Sequence, residues 1–269
     1  MQGKFSDYLL VSDMDATLLD DNHTISEENR QAIDYFIKNG GRFTVATGRM
    51  VEAVRAYMPN LHINAPAVLH NGAKIYDYEK DCAVFERFIE ENRKQAIKRV
   101  YDDFPQIGLE VYSDEIVYVY RECEETKRFL TRSYEVVYSL PDEIWQRPWI
   151  KVLLIGEREL LEPIYRAEYD NGYAVRSGDK YLDVVANGVS KGKGMLDMAK
   201  KIGIEQNKII AVGDNMNDIS MLEAAGISYA VENAEESVKK IADNLAPSNN
   251  GSAIAYIINR LEKIVKTQN

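Results

Sequence analysis

Short apolar runs alternate with amphipathic stretches at the start of the chain. Residues 8–12 and 43–46 are apolar runs with the length of buried strands. Residues 26–39 and 47–58 place apolar side chains at helical spacing, and Pro59 ends the second stretch. The order strand, helix, strand, helix predicts a parallel sheet with right-handed crossovers, and therefore an α/β fold.

The same alternation returns in the last third of the chain. Residues 209–212 and 227–231 are apolar and strand-like, while 191–202, 218–225 and 254–264 carry helical periodicity. We expect these segments to join the first ones in a single α/β core, because both sets follow the strand-then-helix order of a parallel sheet.

The middle of the chain has a different pattern of apolar and polar positions. Alternating positions at 111–120 predict an antiparallel hairpin that turns at Asp114 and Glu115. The other predicted elements are helices at 90–104, 122–134 and 159–169 and a strand at 150–155. We predict an α/β core formed by residues 1–84 and 185–269, interrupted by an α+β insert at 85–184.

Composition and charge narrow the class of protein. The 269 residues contain 33 Lys and Arg against 43 Asp and Glu, a net charge of −10, and 45% are hydrophobic. These values are typical of a folded globular protein, and the acidic balance argues against nucleic acid or an anionic membrane as a partner. No apolar stretch approaches the roughly 18 residues of a membrane span.

Cysteine usage and the first residues predict where the protein works. Cys82 and Cys123 match neither a redox motif nor a metal-binding spacing, which favours a reducing compartment. The apolar run at 8–11 is too short for a secretory signal, and Asp13 follows it closely. We therefore expect a cytoplasmic protein.

Polar clusters follow three of the predicted strands, at 13–17, 47–49 and 213–218. Ligand sites in open α/β sheets form beyond the carboxyl ends of the strands, so the three clusters can meet in one crevice. Asp13 and Asp15 point to the same face of an extended strand end, because side chains alternate there. The sequence thus predicts a crevice rich in carboxylates.

The chemistry of this crevice suits a cation and a phosphate group. Together with Asp214, the two aspartates form an all-oxygen set of the kind that Mg²⁺ prefers, and a cation would relieve their mutual repulsion. The candidate phosphate-binding groups are the Thr47 hydroxyl, backbone N–H groups near Met14 and Gly48, the Asn217 amide, and either Lys191 or Lys193. No glycine-rich nucleotide loop is present in the sequence.

Four motifs in chain order resemble those of the haloacid dehalogenase superfamily, and more closely its Cof-like phosphatases with a large α+β cap. The matching residues are 13–19, 47–49, Lys191 and 213–218, and Asn71-Gly72-Ala73 resembles a short Cof-like signature. Order and spacing match over essentially the whole chain. The resemblance implies a Rossmann-like parallel-sheet core with a cap inserted between the second and third motifs.

The resemblance also implies a phosphatase that works through an aspartyl-phosphate. Asp13 is expected to attack phosphorus, and Asp15 to protonate the leaving oxygen and then activate water. Mg²⁺ is expected at the Asp13 carboxylate, the Asp15 main-chain carbonyl and Asp214, with Asn215 and Asp218 nearby. These are the metal-binding residues that the family pattern places in this chain.

The same resemblance distributes the phosphate-binding roles. It favours Lys191 over Lys193 as the lysine that neutralises the phosphate oxygens. The expected phosphate-binding residues are Met14, Thr47, Gly48, Lys191 and Asn217.

For a few residues, two interpretations of their role remain open. Arg49 and Asn71 are candidate substrate contacts, although Arg49 can also pair with an acidic neighbour, and Asp218 can cap the helix that follows it. Ala16 stands where the family usually has glycine. A positive φ there would cost alanine about 1 kcal/mol, whereas a requirement for a small side chain would cost nothing; we expect the second.

The expected function is hydrolysis of small phosphate esters. Sugar phosphates are the first substrate class, followed by flavin and pyridoxal phosphates. A sugar phosphomutase is the enzymatic alternative, because it shares the cap and the aspartyl-phosphate. A regulator that binds phosphorylated metabolites without catalysis is the alternative from another class.

Overall fold

The computed structural model describes residues 3–131, 134–166 and 174–268. The strands in these residues are β1 (Leu9–Ser12), β2 (Arg42–Val45), β3 (Ala67–Leu69), β4 (Lys74–Asp77), β5 (Cys82–Glu86), β6 (Gly108–Ser113), β7 (Ile116–Arg121), β8 (Val136–Val137), β9 (Lys151–Ile155), β10 (Ala174–Gly178), β11 (Tyr181–Val184), β12 (Ile209–Gly213), β13 (Ile227–Val231) and β14 (Asn244–Ala246). The α-helices are α1 (Glu27–Lys38), α2 (Val51–Arg55), α3 (Glu91–Asp103), α4 (Arg158–Tyr165), α5 (Lys191–Lys201), α6 (Ile219–Ala224), α7 (Glu236–Lys239) and α8 (Ala253–Gln268).

The central sheet is parallel, as the sequence predicts. Its order is β14-β13-β12-β1-β2, so the first strand of the chain lies inside the sheet. Leu9 pairs with Ile209 on one side and with Arg42 on the other. Helix α1 packs on α8 and α5 packs on α6. This topology brings the carboxyl ends of β1, β2 and β12 to one edge, where the polar clusters follow.

A six-stranded sheet lies within the middle segment, in the order β10-β11-β9-β6-β7-β8. Its pairs are antiparallel except β7 with β8, and the predicted turn lies at Asp114 and Glu115 between β6 and β7. One face packs on α3 and α4 around the buried Trp149. The other face carries Tyr112 and Leu153, which pack with Met50 from the parallel-sheet unit.

A small antiparallel sheet, β3-β4-β5, is absent from the sequence-based prediction. A bridge between Ala46 and Val68 joins it to the end of β2. Strand β5 is largely exposed and lacks a clear apolar alternation, so periodicity does not reveal it. The predicted boundary after residue 84 falls inside this strand.

Several predicted helices differ from the observed ones in extent or type. The stretch at 47–58 is α-helical only at α2: Met50 before it is extended, and residues 56–58 after it form turns. The helix predicted at 122–134 is a 3₁₀ helix at Glu124–Thr131, and residues 132–133 lie outside the described part. There Thr126 bonds the main chain of Cys123 and so tightens the turn. The helix predicted at 159–169 is α4, and residues 167–169 lie outside the described part.

Among the described residues, no helix combines the length and apolar character that crossing a membrane requires.

Candidate active site

The strand ends bring residues from distant parts of the chain together. Asp13 follows β1 and its N–H donates to Val212 O of β12 at 2.9 Å. Asp214 follows β12, and its carboxylate accepts the Thr17 hydroxyl at 2.7 Å. The site is therefore formed by the pairing of the first strand with a strand almost two hundred residues later.

Lys191 is the positive centre of this cluster. Its Nζ lies 2.5 Å from Asp13 Oδ1 and 2.6 Å from Asp218 Oδ1, and its side chain is 1% exposed. Lys191 is the first residue of α5, which Ser190 caps. Lys193 instead pairs with Asp197 on the exposed side of α5. The structure thus places Lys191, and not Lys193, among the carboxylates.

Asp218 is held by the backbone that follows β12. Its Oδ2 accepts the N–H groups of Asp214 at 2.9 Å and Asn215 at 3.0 Å. A β-carbon on Gly213 would lie 2.5 Å from the Asp218 carboxyl carbon, so only glycine fits there. With Lys191 on the other oxygen, Asp218 orients the lysine and also closes the turn.

Burial dominates the electrostatics of the cluster. It raises the pKa of Asp13 well above its usual value, and the pKa of Asp214 to about 7, with repulsion from Asp218 adding to both. Burial alone would lower the pKa of Lys191, but attraction to Asp13 and Asp218 outweighs it and the pKa rises. Three buried carboxyl groups face one buried cation, so ionising all three together is costly unless a further positive charge is present.

These residues fit a divalent metal ion. One oxygen each from Asp13, Asp214 and Asp218 lies within 4.8 Å of the others. The donors are all oxygens, which hard cations prefer, and a divalent charge would balance the excess of carboxylates. Asn215 lies beside them, with its Oδ1 accepting the Met216 N–H at 2.7 Å.

Asp15 is paired with Arg49. The guanidinium donates from Nε to Oδ2 at 2.8 Å and from Nη2 to Oδ1 at 2.6 Å. Burial acts to raise the pKa of Asp15, but the hydrogen bonds from Arg49 outweigh it and the pKa is lowered. Of the two readings for Arg49, the structure therefore contains the pairing with an acidic neighbour.

The expectation for Ala16 is wrong. Its φ is 57° and its ψ is 11°, in the left-handed region that favours glycine. The position therefore demands a backbone conformation and not merely a small side chain. The turn after Asp15 is tight, since Leu19 N–H donates back to Met14 O at 2.8 Å.

The remaining predicted residues lie around the carboxylates. Thr47 is buried, and its Oγ1 accepts the Arg49 N–H at 3.2 Å. Asn217 donates to Asn71 Oδ1 at 3.1 Å. Asn71 is buried behind Gly48 and Asn217, so it supports these residues rather than reaching the main cavity. Met14 is also buried, following Asp13 in the turn.

A cavity of about 530 Å³ lies between the parallel-sheet unit and the six-stranded sheet. The parallel-sheet side contributes Asp13, Asp15, Ala16, His23, Thr47, Gly48, Arg49, Met50, Ala53, Asp214, Asn215 and Asn217. The other side contributes Tyr112, Arg128, Tyr134, Lys151, Leu153, Ser177, Tyr181 and Asp183. The carboxylate cluster thus opens into a space closed by a second unit.

The sequence-based prediction missed Lys151 and Asp183, which pair at 2.9 Å in this cavity. Both are buried, although each belongs to an otherwise apolar strand. A single charged residue in an apolar strand is itself a signal, because an unpaired buried charge is costly and needs a partner.

Comparisons with known proteins agree with this arrangement. The family model of haloacid dehalogenase-like hydrolases matches residues 10–258. A crystal structure of a Thermotoga maritima protein is 29% identical, with a TM-score of 0.78 over 94% of this chain and 97% of its own. A haloacid dehalogenase-like hydrolase from B. subtilis is 25% identical, with a TM-score of 0.84 over 94% and 99%.

A curated relative from Escherichia coli is 26% identical over 95% of this chain and 96% of its own, and is named 5-amino-6-(5-phospho-D-ribitylamino)uracil phosphatase. With the family model covering most of the chain, this protein belongs to the haloacid dehalogenase-like hydrolases. It is an enzyme of the phosphatase type, with a parallel-sheet core and a cap. We use "cap" for the six-stranded sheet with α3 and α4.

Proposed function

We propose that the protein is a Mg²⁺-dependent phosphatase of small phosphorylated metabolites. The observation that carries the proposal is the Asp13 carboxylate at the cavity wall, 2.5 Å from the buried Lys191 and two residues from Asp15. A carboxylate next to a fixed cation and a second carboxylate has the parts that a two-step phosphoryl transfer needs.

In the first step, an Asp13 oxygen attacks phosphorus, and the bond from phosphorus to the leaving oxygen breaks. For this step Asp15 must carry a proton, although pairing with Arg49 favours its ionised form, and it gives that proton to the leaving oxygen. In the second step, Asp15 takes a proton from water, whose oxygen attacks phosphorus and releases Asp13 and inorganic phosphate. Lys191 offsets the charge of the phosphate oxygens, and the remaining orienting groups are Thr47, Asn217 and the backbone N–H groups of Met14 and Gly48.

We propose that Asp13, the Asp15 carbonyl and Asp214 hold Mg²⁺, with Asn215 and Asp218 beside it. Bound Mg²⁺ supplies positive charge next to the phosphate oxygens. Asp218 already uses both oxygens, on Lys191 and on two backbone N–H groups, which suits an orienting role.

The proposed substrates are esters with a hydroxylated leaving group, sugar phosphates first and flavin or pyridoxal phosphates next. The cap side of the cavity offers a paired cation and carboxylate, Lys151 and Asp183, with Ser177 and Tyr181 nearby. Such groups donate to and accept from hydroxyls. The relative named for a ribityl phosphate substrate supports the same class. The core at 1–84 and 185–269 is proposed to carry the chemistry in the cytoplasm, and the cap at 85–184 the selection.

The test is phosphate release from nitrophenyl phosphate and from a panel of sugar phosphates, flavin mononucleotide and pyridoxal phosphate, with Mg²⁺ or with a chelator. Release should require Mg²⁺, and Asp13→Asn should reduce turnover by on the order of a thousandfold or more, because the nucleophile is lost. Asp7→Asn, at an exposed residue far from the cavity, is the matched control and should behave as wild type.

Each alternative has its own result in this assay. Wild-type turnover by Asp13→Asn would overturn the proposed mechanism. Isomerised sugar phosphate without free phosphate would indicate a phosphomutase, and sugar phosphate binding without turnover would indicate a regulator.

A further inference from the structure

The cap holds the loop that carries Thr47, Gly48 and Arg49. This loop, residues 47–51, joins the end of β2 to the start of α2. Lys151 of the cap donates from Nζ to Gly48 O at 2.9 Å. Glu115 of the cap accepts the Val51 N–H on Oε2 at 3.0 Å. Two charged cap residues therefore bind the loop near both of its ends, although the loop belongs to the parallel-sheet unit.

The shape of the cap turn directs Glu115 at the core. Asp114 and Glu115 both have positive φ, 51° and 60°, so the β6–β7 hairpin turns tightly and Glu115 lies at its tip. The Glu115 side chain is only 28% exposed, as expected for a carboxylate inserted between two units.

The second oxygen of Glu115 binds the core independently of the loop. Oε1 accepts from Lys74 of β4, whose Nζ also pairs with Glu86 at 2.9 Å. His70 is buried nearby, with Nε2 at 3.9 Å from the same oxygen. Burial acts to raise the pKa of Glu115, but Lys74 outweighs it and holds the pKa below its usual value, so Glu115 is ionised. Lys74 thus fixes the carboxylate that holds Val51.

The gripped loop leads directly to the acid/base. Arg49 lies between the two cap contacts, and its side chain makes both hydrogen bonds to Asp15. Its main-chain carbonyl accepts the His70 N–H at 3.1 Å. A loop held at Gly48 and Val51 has little freedom at Arg49. The position of the cap on the core therefore determines the position at which Arg49 binds Asp15.

We propose that Glu115 is a positioning residue for catalysis. From the cap it fixes loop 47–51, and through Arg49 it sets the place of Asp15, with Lys151 acting at the other end of the loop. Glu115 touches neither the cavity nor the carboxylate cluster, so its effect is transmitted through the loop. The inference rests on the proposed role of Asp15 as the acid and base.

The test compares two esters that need the acid to different extents. Nitrophenyl phosphate has a good leaving group, whereas glycerol phosphate needs its leaving oxygen protonated. We expect Glu115→Ala to lower kcat/KM for glycerol phosphate by about tenfold or more and for nitrophenyl phosphate by only about threefold. Because kcat/KM covers only the first transfer, the ratio of the two esters reports on Asp15 as an acid.

Two further variants separate positioning from stability. Glu115→Gln keeps an acceptor for the Val51 N–H but loses the charge for Lys74, so its ester ratio should lie between those of wild type and Glu115→Ala. Glu86→Gln removes the other partner of Lys74 without touching the loop, and it should keep the wild-type ratio. Melting curves of all variants report the folded fraction, and Glu115→Gln carries the test if Glu115→Ala does not fold.

The outcomes distinguish this inference from the proposed function. Equal losses for both esters, or Glu115 variants that match Glu86→Gln, would overturn the positioning role. Wild-type protein that releases phosphate from neither ester would instead refute the phosphatase proposal.

Discussion

Ala16 places an alanine in a backbone conformation that is cheap only for glycine. At φ 57° the β-carbon crowds the following carbonyl, which costs roughly 1 kcal/mol. The Ala16 carbonyl accepts from Asn233 Nδ2 at 2.8 Å, so a remote residue helps to hold the strained turn. The strain lies directly beside Asp15, where the chain must bend back on itself.

Replacing Ala16 with glycine should therefore stabilise the protein. We expect Ala16→Gly to raise the free energy of unfolding by a few tenths of a kcal/mol, measured by urea denaturation, because the relief of about 1 kcal/mol of strain exceeds the added flexibility of the unfolded chain. Ala56→Gly is the matched control. Ala56 is also exposed but has a φ of −57°, so glycine should destabilise there. A loss of stability in both variants would contradict this account of Ala16.

At the scale of the element, helix α5 delivers the lysine of the cluster. Ser190 caps it, with Oγ accepting the Lys193 N–H at 3.1 Å. Lys191 is the next residue, so its backbone lies in the first turn and its direction depends on how the helix starts. Gly192 lets this turn approach α6 closely, because a β-carbon there would lie 2.0 Å from Ser220 O.

Removing the side chain that caps the N-terminus of α5 should affect both stability and turnover. Ser190→Ala is expected to cost about 1 kcal/mol and to lower kcat a few-fold, since Lys191 loses its fixed start. Ser26→Ala removes the same kind of cap from α1, where Ser26 Oγ accepts the Asn29 N–H at 3.2 Å. It should cost similar stability and leave kcat unchanged. Equal kcat in the two variants would show that the Ser190 hydroxyl does not position Lys191.

The elements differ in how well the sequence predicts them. Strands β1 and β12 are almost entirely apolar because neighbours cover them, and such runs are visible without any structure. Strand β5 is exposed and gives no such pattern. The extended backbone at Met50, before α2, is also hidden, and the contacts of the neighbouring Val51 and Gly48 come from Glu115 and Lys151 in another unit.

At the scale of the whole molecule, His70 lies buried where the two units meet. Neither ring nitrogen has a hydrogen-bond partner among the described residues, and the Tyr112 ring of the cap packs edge-on at 6.0 Å. Burial lowers the pKa of His70 from its usual 6.5; Lys151 and Lys74 act in the same direction, and Glu115 opposes them. The folded protein therefore keeps this histidine neutral.

This histidine should make stability depend on pH. The unfolded chain takes up the proton first, so the contribution of His70 is present above about pH 6.5 and is lost as the pH falls toward the folded pKa. His70→Asn, which tolerates the positive φ of 49°, should reduce the loss of stability on acidification. The difference from wild type should reach at most about 1.4 kcal/mol per pH unit in this window.

Urea unfolding at about pH 7.5 and about pH 5.5 measures this difference. His62→Asn is the control, since His62 is an exposed histidine on the surface of the core. It should follow the wild-type pH dependence. A wild-type dependence in His70→Asn as well would show that His70 does not carry the effect.

The candidate site was predictable to the extent that it lies in chain order next to strand ends. Asp13, Asp15 and Asp214 follow apolar runs, so the rule for parallel sheets brings them together. Lys191 could be distinguished from Lys193 only by resemblance, because helix orientation decides which lysine faces inward. The cap residues of the site depend on how the two units pack against each other, and no local sequence pattern predicts that packing.

The central place of β1 also has a consequence for synthesis of the chain. Asp13 and Lys191 are separated by 178 residues, and Thr17 and Asp214 by 197. At the usual 5 to 20 residues per second, a ribosome needs roughly 10 to 40 s to make the intervening chain. During that time β1 has one unpaired edge, and Asp13, the proposed nucleophile, has neither Lys191 nor the other carboxyl groups beside it. We therefore expect enzymatic activity only after β12 has paired with β1.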